Sequence, residues 1–291
     1  MTKILITGAN SFVGTNFKKY SKYKLVDEIS LIDKQPENIE FDSYNVVLHL
    51  VAIVHQSKKI SEKEYYRVNR GLALQVAEKA KKAGVKQFIF LSTVKVYGKY
   101  IPGAGAWNEE SMCDPEDAYG KSKYAAEIEL KKMEDENFTI SIVRTPLVYG
   151  EHVKANMRSI IKLVEKIPIL PLGNLENKRS FTSAENLVAF IDRIIEKRAS
   201  GVFIAKDARG LSTTELVTLI SKYLKKKLIL FSIPRFVISL STFIYPRIFD
   251  RLYGSFEMEN NKTLTKLNFT PPLTTEEGIR RMIIAYRSNK W

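Results

Sequence analysis

A chain of 291 residues with a single cysteine, Cys113, cannot hold an intrachain disulfide, and its 45% hydrophobic and 27% charged residues exclude a disordered or membrane-embedded class. The formal net charge of +14 attracts anionic partners, but the lysines are scattered along helical stretches (Lys79, Lys81, Lys82; Lys131, Lys132; Lys225, Lys226, Lys227) with no arginine-rich arm, which argues against nucleic acid. His49, His55, His152 and Cys113 lack metal-ligand spacing, so no metal site is expected.

The first element is a short apolar run, Ile4-Leu5-Ile6, of the kind a strand buried on both faces requires. It turns at once into a helix through Thr7-Gly8-Ala9-Asn10-Ser11-Phe12-Val13-Gly14. Gly8 permits the tight turn and Gly14 close packing of helix on sheet, and the free N–H groups of such a helix suit a pyrophosphate. Ser11 stands where a middle glycine is usual; its Cβ narrows the approach, while its hydroxyl offers a donor to a phosphate oxygen.

A second strand is expected within Lys24–Ile32, ending at Leu31-Ile32-Asp33. Asp33 is about 20 residues past the glycine turn, where a carboxylate accepts both ribose hydroxyls and favours NAD; Lys34 beside it suits the 2′-phosphate of NADP. Val46–Ala52 is the next buried strand, with Ala52 small enough for a cofactor to approach the backbone. Residues 62–83 form a helix with Val68, Leu72, Val76 and Ala80 at four-residue intervals and Gly84 as its stop. Asn69 interrupts that apolar face, so it either ties neighbouring elements together or serves a site.

The strand Lys86–Thr93 ends in two hydroxyls, Ser92 and Thr93, at the edge of a parallel sheet where ligands bind. A long loop follows, and then Tyr119-Gly120-Lys121-Ser122-Lys123 opens a helix running to about Glu136. Tyr119 and Lys123 are four apart and share a face. A lysine cation near a phenol lowers its pKa from ~10 and makes it a general acid/base. After the strand Thr139–Val143 the alternation loosens, and a mostly helical part starts near residue 151. In it, Arg179 has the planar fork that matches a phosphate. Phe236–Tyr245 is apolar but too short and interrupted to span a bilayer; it packs in a core or lies on a membrane surface. A final helix is expected over Thr275–Tyr286.

Together the 7–14 turn, the His49–Ala52 strand end, Thr93-Val94-Lys95-Val96-Tyr97-Gly98, Tyr119 with Lys123, Arg144–Gly150, Arg179 and Glu277-Gly278 resemble the extended short-chain dehydrogenase/reductases, in their nucleotide-sugar epimerase/dehydratase branch. The resemblance implies an α/β, Rossmann-type doubly wound parallel sheet over 1–150, with later segments returning to it, and a smaller helical nucleotide-sugar-binding part over 151–291. It implies NAD or NADP held by Gly8, Asn10, Ser11, Phe12, Val13, Gly14, Asp33, Leu50, Val51, Ala52, Asn69 and Lys123. Thr93 would hydrogen-bond the sugar oxygen, Tyr119 would be its acid/base, Lys123 would hold the nicotinamide ribose, and Asn156 and Arg179 would contact the nucleotide diphosphate.

Relatives that dehydrate sugars carry Asp-Glu after the active-site threonine; Val94 and Lys95 stand there instead, so no 4,6-dehydratase activity is expected. Hydride transfer at C4 of a UDP-sugar in surface-polysaccharide synthesis remains, with a 4-ketoreductase favoured over a 4-epimerase. A dinucleotide-binding sensor or scaffold is the alternative of another class. The single cysteine suits a reducing cytoplasm, the resemblance implies a homodimer, and the positive charge with the 236–245 stretch suits weak association with a membrane surface.

Overall fold

The computed structural model describes residues 1–32, 35–54, 60–98, 105–233 and 252–289. Asp33, Lys34, His55 and the Phe236–Tyr245 stretch lie outside the described residues. The chain divides into two compact units, one formed by 1–146, 184–205 and 259–270, the other by 147–183, 206–258 and 271–291.

In the first unit β1 (Ile4–Thr7) leads into α1 (Phe12–Tyr20), followed by β2 (Val26–Ile29) and β3 (Val46–His49). A helical run then comprises α2 (Glu62–Tyr66), a π-helical turn (Arg67–Leu72) and α3 (Ala73–Lys82). β4 (Gln87–Thr93), a 3₁₀ turn (Val94–Tyr97), α4 (Ala118–Lys131) and β5 (Thr139–Thr145) complete the first pass. The chain returns with helix Ala184–Lys197, strand Gly201–Ile204 and helix Asn261–Leu267. The sheet is parallel throughout, in the order β2-β1-β3-β4-β5 and then Gly201–Ile204. This is the expected doubly wound α/β arrangement.

Its central strands are largely apolar on both faces because helices cover both. On one face Leu5, Val47, Phe88, Phe90, Ile140 and Ile142 pack with Val76, Ala77 and Ala80 of α3 and Ala126 and Leu130 of α4. Fully burying such side chains contributes about 1.5–3 kcal/mol each, which is why a three- or four-residue apolar run suffices to define a strand here.

Several elements differ from expectation: the strand expected over Val46–Ala52 ends at His49, the strand expected over Thr139–Val143 runs on to Thr145, and the final helix extends from Thr275 to Asn289. β2 ends at Ile29, and Leu31-Ile32 form a turn; the partly exposed Val26–Ile29 strand lies at the sheet edge, where apolar content is a weak marker. α4 ends at Lys131, because the next residues turn through hydrogen bonds from Lys132 and Met133 N–H to the Glu129 and Leu130 carbonyls. The run over 62–82 is helical as expected, but its centre widens into a π turn around Asn69. Such turns commonly accommodate a functional or polar side chain.

In the second unit the strands Leu147–Tyr149 and Phe181–Ser183 pair in parallel, as do Ile169–Leu170 and Ile229–Leu230, among helices Ala155–Lys166, Thr213–Leu224 and Thr275–Asn289. The Tyr149 hydroxyl donates to buried Asp207 Oδ2 at 2.6 Å, and Ser183 N–H donates to Asp207 Oδ1 at 2.9 Å.

Gly98, just past the 3₁₀ turn, has φ 83° and ψ −158°, a conformation that side chains resist, and a Cβ there would land on the Asp114 carbonyl. We expect Gly98→Ala to lose of order 1–3 kcal/mol of stability from backbone strain alone, measured by urea denaturation. A loss below about 0.5 kcal/mol, the usual size for neutral surface substitutions, would contradict this account of the turn.

Candidate active site

The site grows from register in the first unit. Thr7, His49 and Phe90 are successive neighbours across β1, β3 and β4, and Ser92 of β4 faces Arg144 of β5. Phe90 and Ser92 are two apart and share a face, as do Ile142 and Arg144, so the row above the apolar core is polar on the face α4 covers.

Gly8, at φ +115°, makes the turn after β1; a Cβ there would sit 3.2 Å from the Leu50 carbonyl carbon and the Val51 nitrogen. The turn is therefore bare backbone against the segment that follows β3, where Leu50 is buried and Val51 and Ala52 are partly exposed. Asn10 adopts φ 58° in the same turn, and Phe12 and Val13 begin α1. Ser11 caps α1: its Oγ accepts from Gly14 N–H at 3.1 Å, and a Cβ on Gly14 would strike that same oxygen. The hydroxyl oxygen satisfies one of the unpaired N–H groups of the helix start, and its O–H remains a donor of the kind expected for a phosphate oxygen. The remaining first-turn backbone, at the carboxyl edge of a parallel sheet, fits a diphosphate.

Asn69 is fully buried in the π turn. Its Oδ1 accepts from Ile53 N–H at 2.8 Å, and its Nδ2 donates to the Ile53 carbonyl at 3.0 Å and to Ser122 Oγ at 3.0 Å. Ser122 in turn donates to the Tyr119 carbonyl at 2.9 Å. Asn69 thus ties the segment after β3 to the first turn of α4, the first of the two uses its sequence position left open.

Thr93 ends β4, and its hydroxyl accepts from Lys95 N–H at 3.2 Å. Asp117 caps α4, accepting from Gly120 N–H at 2.7 Å, and its other oxygen pairs with Lys95 Nζ at 2.6 Å. One ion pair therefore joins the turn that carries Thr93 to the cap that carries Tyr119. Lys95 Nζ also lies 6.0 Å from the Tyr119 ring centre.

The Tyr119 phenol is half-buried and interacts with the Thr93 side chain. Burial pushes its pKa up to about 12; Thr93 lowers it, while Asp117 and Tyr65 raise it. Lys123 is 1% exposed, with Nζ 3.9 Å from the Phe90 ring centre. Burial draws its pKa down to about 7, opposed by the Glu127 carboxylate. The expectation that the Tyr119 pKa lies below its usual value is corrected: burial is the largest influence on the phenol and holds it above that value, while the Lys123 ammonium sits over the Phe90 ring of β4 and is itself desolvated. His49, buried at the end of β3, exchanges a 2.8 Å hydrogen bond with Thr7 Oγ1 and is held neutral, with its pKa near about 3, by burial and by Lys123.

Sequence reasoning passed over Glu127 and Arg144 as site residues. Arg144 Nε donates to Glu127 Oε1 and Oε2 at 3.2 and 3.1 Å, its Nη2 donates to Oε2 at 2.6 Å, and Ser92 Oγ donates to Oε1. The available signal was Glu127 four residues beyond Lys123 on one helix, a spacing that is usually solvated.

Asn156 and Arg179 belong to the second unit. Asn156 is exposed at the start of helix Ala155–Lys166. Arg179 is half-buried, its Nη1 donating to the Gly254 carbonyl at 2.9 Å. The preceding Asn177 is tied to Thr213, donating to its Oγ1 and accepting from its N–H, both at 3.1 Å. Among the described residues there is no group of three or more His, Cys, Asp or Glu that could hold a metal ion, and no helix long and apolar enough to cross a membrane.

The model of the NAD dependent epimerase/dehydratase family matches residues 4–204. A UDP-glucose 4-epimerase of Vibrio cholerae is 32% identical, over 97% of this chain and 95% of its own length. An N-acetyl-alpha-D-glucosaminyl-diphospho-ditrans,octacis-undecaprenol 4-epimerase of Escherichia coli O157:H7 is 29% identical, over 77% and 73%. The crystal structure of a UDP-glucuronic acid 4-epimerase from Bacillus cereus in complex with NAD superposes with a TM-score of 0.75 at 19% identity, covering 99% of this chain and 98% of that one.

Proposed function

The chain belongs to the NAD-dependent epimerase/dehydratase family, and on that premise we propose that it transfers hydride at C4 of a nucleotide sugar, as a 4-epimerase. The observation that carries the reading is Tyr119 beside Thr93 at the carboxyl edge of β4, with Lys123 one turn further along the same helix. In this reading the first unit holds NAD or NADP through the backbone of the Gly8–Gly14 turn, and the second holds the nucleotide diphosphate through Asn156 and Arg179.

When bound, the nicotinamide ring supplies and stores the hydride. Thr93 orients the sugar by hydrogen-bonding its C4 oxygen. Tyr119 moves the proton at that oxygen, removing it as C4 is oxidised and returning it as C4 is reduced. With its pKa pushed up to about 12, the phenol keeps its proton at neutral pH and is poised as the acid. Drawing the proton off for the oxidative half requires positive charge nearby, which Lys123 brings to the same helix face.

Val94 is buried and Lys95 is paired with Asp117, so neither acts as an acid/base pair for loss of water, and no 4,6-dehydratase activity is proposed. Sequence features favoured a single reduction; the full-length likeness to the Vibrio cholerae 4-epimerase moves the balance to epimerisation. On the carrier of the sugar, a second reading rests on the net charge of +14 and the apolar Phe236–Tyr245 stretch, which suit a lipid-linked diphosphate sugar, the type named for the Escherichia coli relative.

The test is mass spectrometry of dinucleotide released from the denatured purified protein. An epimerase regenerates its cofactor in each cycle and keeps it, so near-stoichiometric NAD⁺ is the expected result. Empty protein that reduces a UDP-4-keto sugar with added NADH or NADPH would replace epimerisation by the ketoreductase reading.

A further inference from the structure

Outside the groups assigned to chemistry, the first unit buries a carboxylate in an unusual place. Glu127 is 0% exposed, on the face of α4 pressed against β4 and β5, with Arg144 3% exposed and Lys123 1% exposed beside it. A carboxylate there is costly unless fully paired, and a hydrophobic pair of similar volume would often be as stable. Two cations and one anion share this pocket, so the arrangement is more than a closed ion pair.

We propose that Glu127, held in place by Arg144 and Ser92, is the positioning residue of the site, the counter-charge that favours the ammonium form of Lys123 over β4. This rests on the reading of Lys123 given above. Three observations support it. Lys123 and Glu127 lie one helical turn apart on the buried face of α4. Arg144 and Ser92 occupy three of the donor–acceptor positions around the carboxylate, fixing its plane so that it cannot turn away from the helix. The Glu127 carboxylate also opposes the effect of burial on Lys123.

The other titratable groups around the cluster are few. His49 of β3 is neutral and feels Lys123. Tyr97 of the 3₁₀ turn stacks under Arg144 at 4.8 Å, and burial raises its pKa. Cys113 of the loop before α4 and Tyr124 of α4 sense Arg144 and Glu127, and burial raises both. Tyr65 of α2 and Lys95 of the 3₁₀ turn lie toward Tyr119. None carries a negative charge at neutral pH that could replace Glu127.

Glu127→Gln alone strands Arg144, so the informative variant is Glu127→Gln with Arg144→Met, which removes both charges. The first readout needs no cofactor and no turnover: urea denaturation from pH 5 to 10, with and without Lys123→Met. A lysine whose folded pKa lies below its unfolded value penalises the fold at low pH, and the penalty is relieved as pH rises through the folded value. In the natural sequence the Lys123-dependent rise in stability therefore begins near pH 7. In the double variant it is expected to begin about one unit lower.

The second readout is the basic limb of the turnover profile, expected to move down by the same interval with KM little changed. An unmoved onset overturns the proposal, as does an unmoved basic limb. If no sugar is turned over by the natural protein, the functional reading fails, and the denaturation onset still decides the role of Glu127.

Discussion

Tyr119→Phe is expected to lower kcat by about 10²–10⁴-fold while leaving dinucleotide binding and stability near those of the natural chain. The substitution removes one oxygen and leaves the ring in its half-buried place at the start of α4. The cap at Asp117 and the Lys95 ion pair are untouched, so the turn that carries residue 119 stays where it is. What disappears is the only proton carrier proposed at the sugar C4 oxygen, and Thr93, whose hydroxyl has a far higher pKa, cannot substitute for it. The measurements are steady-state turnover of UDP-sugars and titration with NADH. Turnover within threefold of the natural protein would sink the mechanism. Retained NADH binding with no sugar turned over by either chain would favour a sensor over an enzyme.

Arg144→Met is expected to produce the largest loss of stability, about 3–5 kcal/mol, because it leaves the Glu127 carboxylate buried without its cation. Arg144 is the main donor to that carboxylate, and Ser92 alone cannot replace it. Combining Arg144→Met with Glu127→Gln is expected to recover most of the loss, since removing both charges leaves no ion to desolvate. Urea denaturation at pH 7.5 checks the pair. Equal losses in the single and double variants would show that packing of the Arg144 stem, rather than charge, is what matters.

Much of the architecture was legible from local pattern. The apolar runs at Ile4–Ile6, Val46–His49 and Gln87–Phe90 are strands because a parallel sheet covered on both faces admits nothing else. Glycine at position 8 announces a turn that only a residue without a Cβ can make against the Leu50–Val51 backbone. Thr93 and the Tyr119–Lys123 spacing were legible for the same reason: each is fixed by its own strand end or helix turn.

What local pattern could not supply were relations between distant elements. β2, at the sheet edge, has no apolar run to mark its end. Ser11 is a helix cap because Gly14 brings an N–H to it, and Asn69 is a strut because Ile53 and Ser122 meet at the π turn. Above all, the sequence by itself determined which residues could do acid/base chemistry, since that follows from side-chain type and helical spacing. Only the tertiary structure decided their charge. Glu127 and Arg144 are 17 residues apart, and register between β4 and β5 places Arg144 opposite Ser92 beneath α4. There burial, which no single segment encodes, sets the protonation of Lys123 and Tyr119.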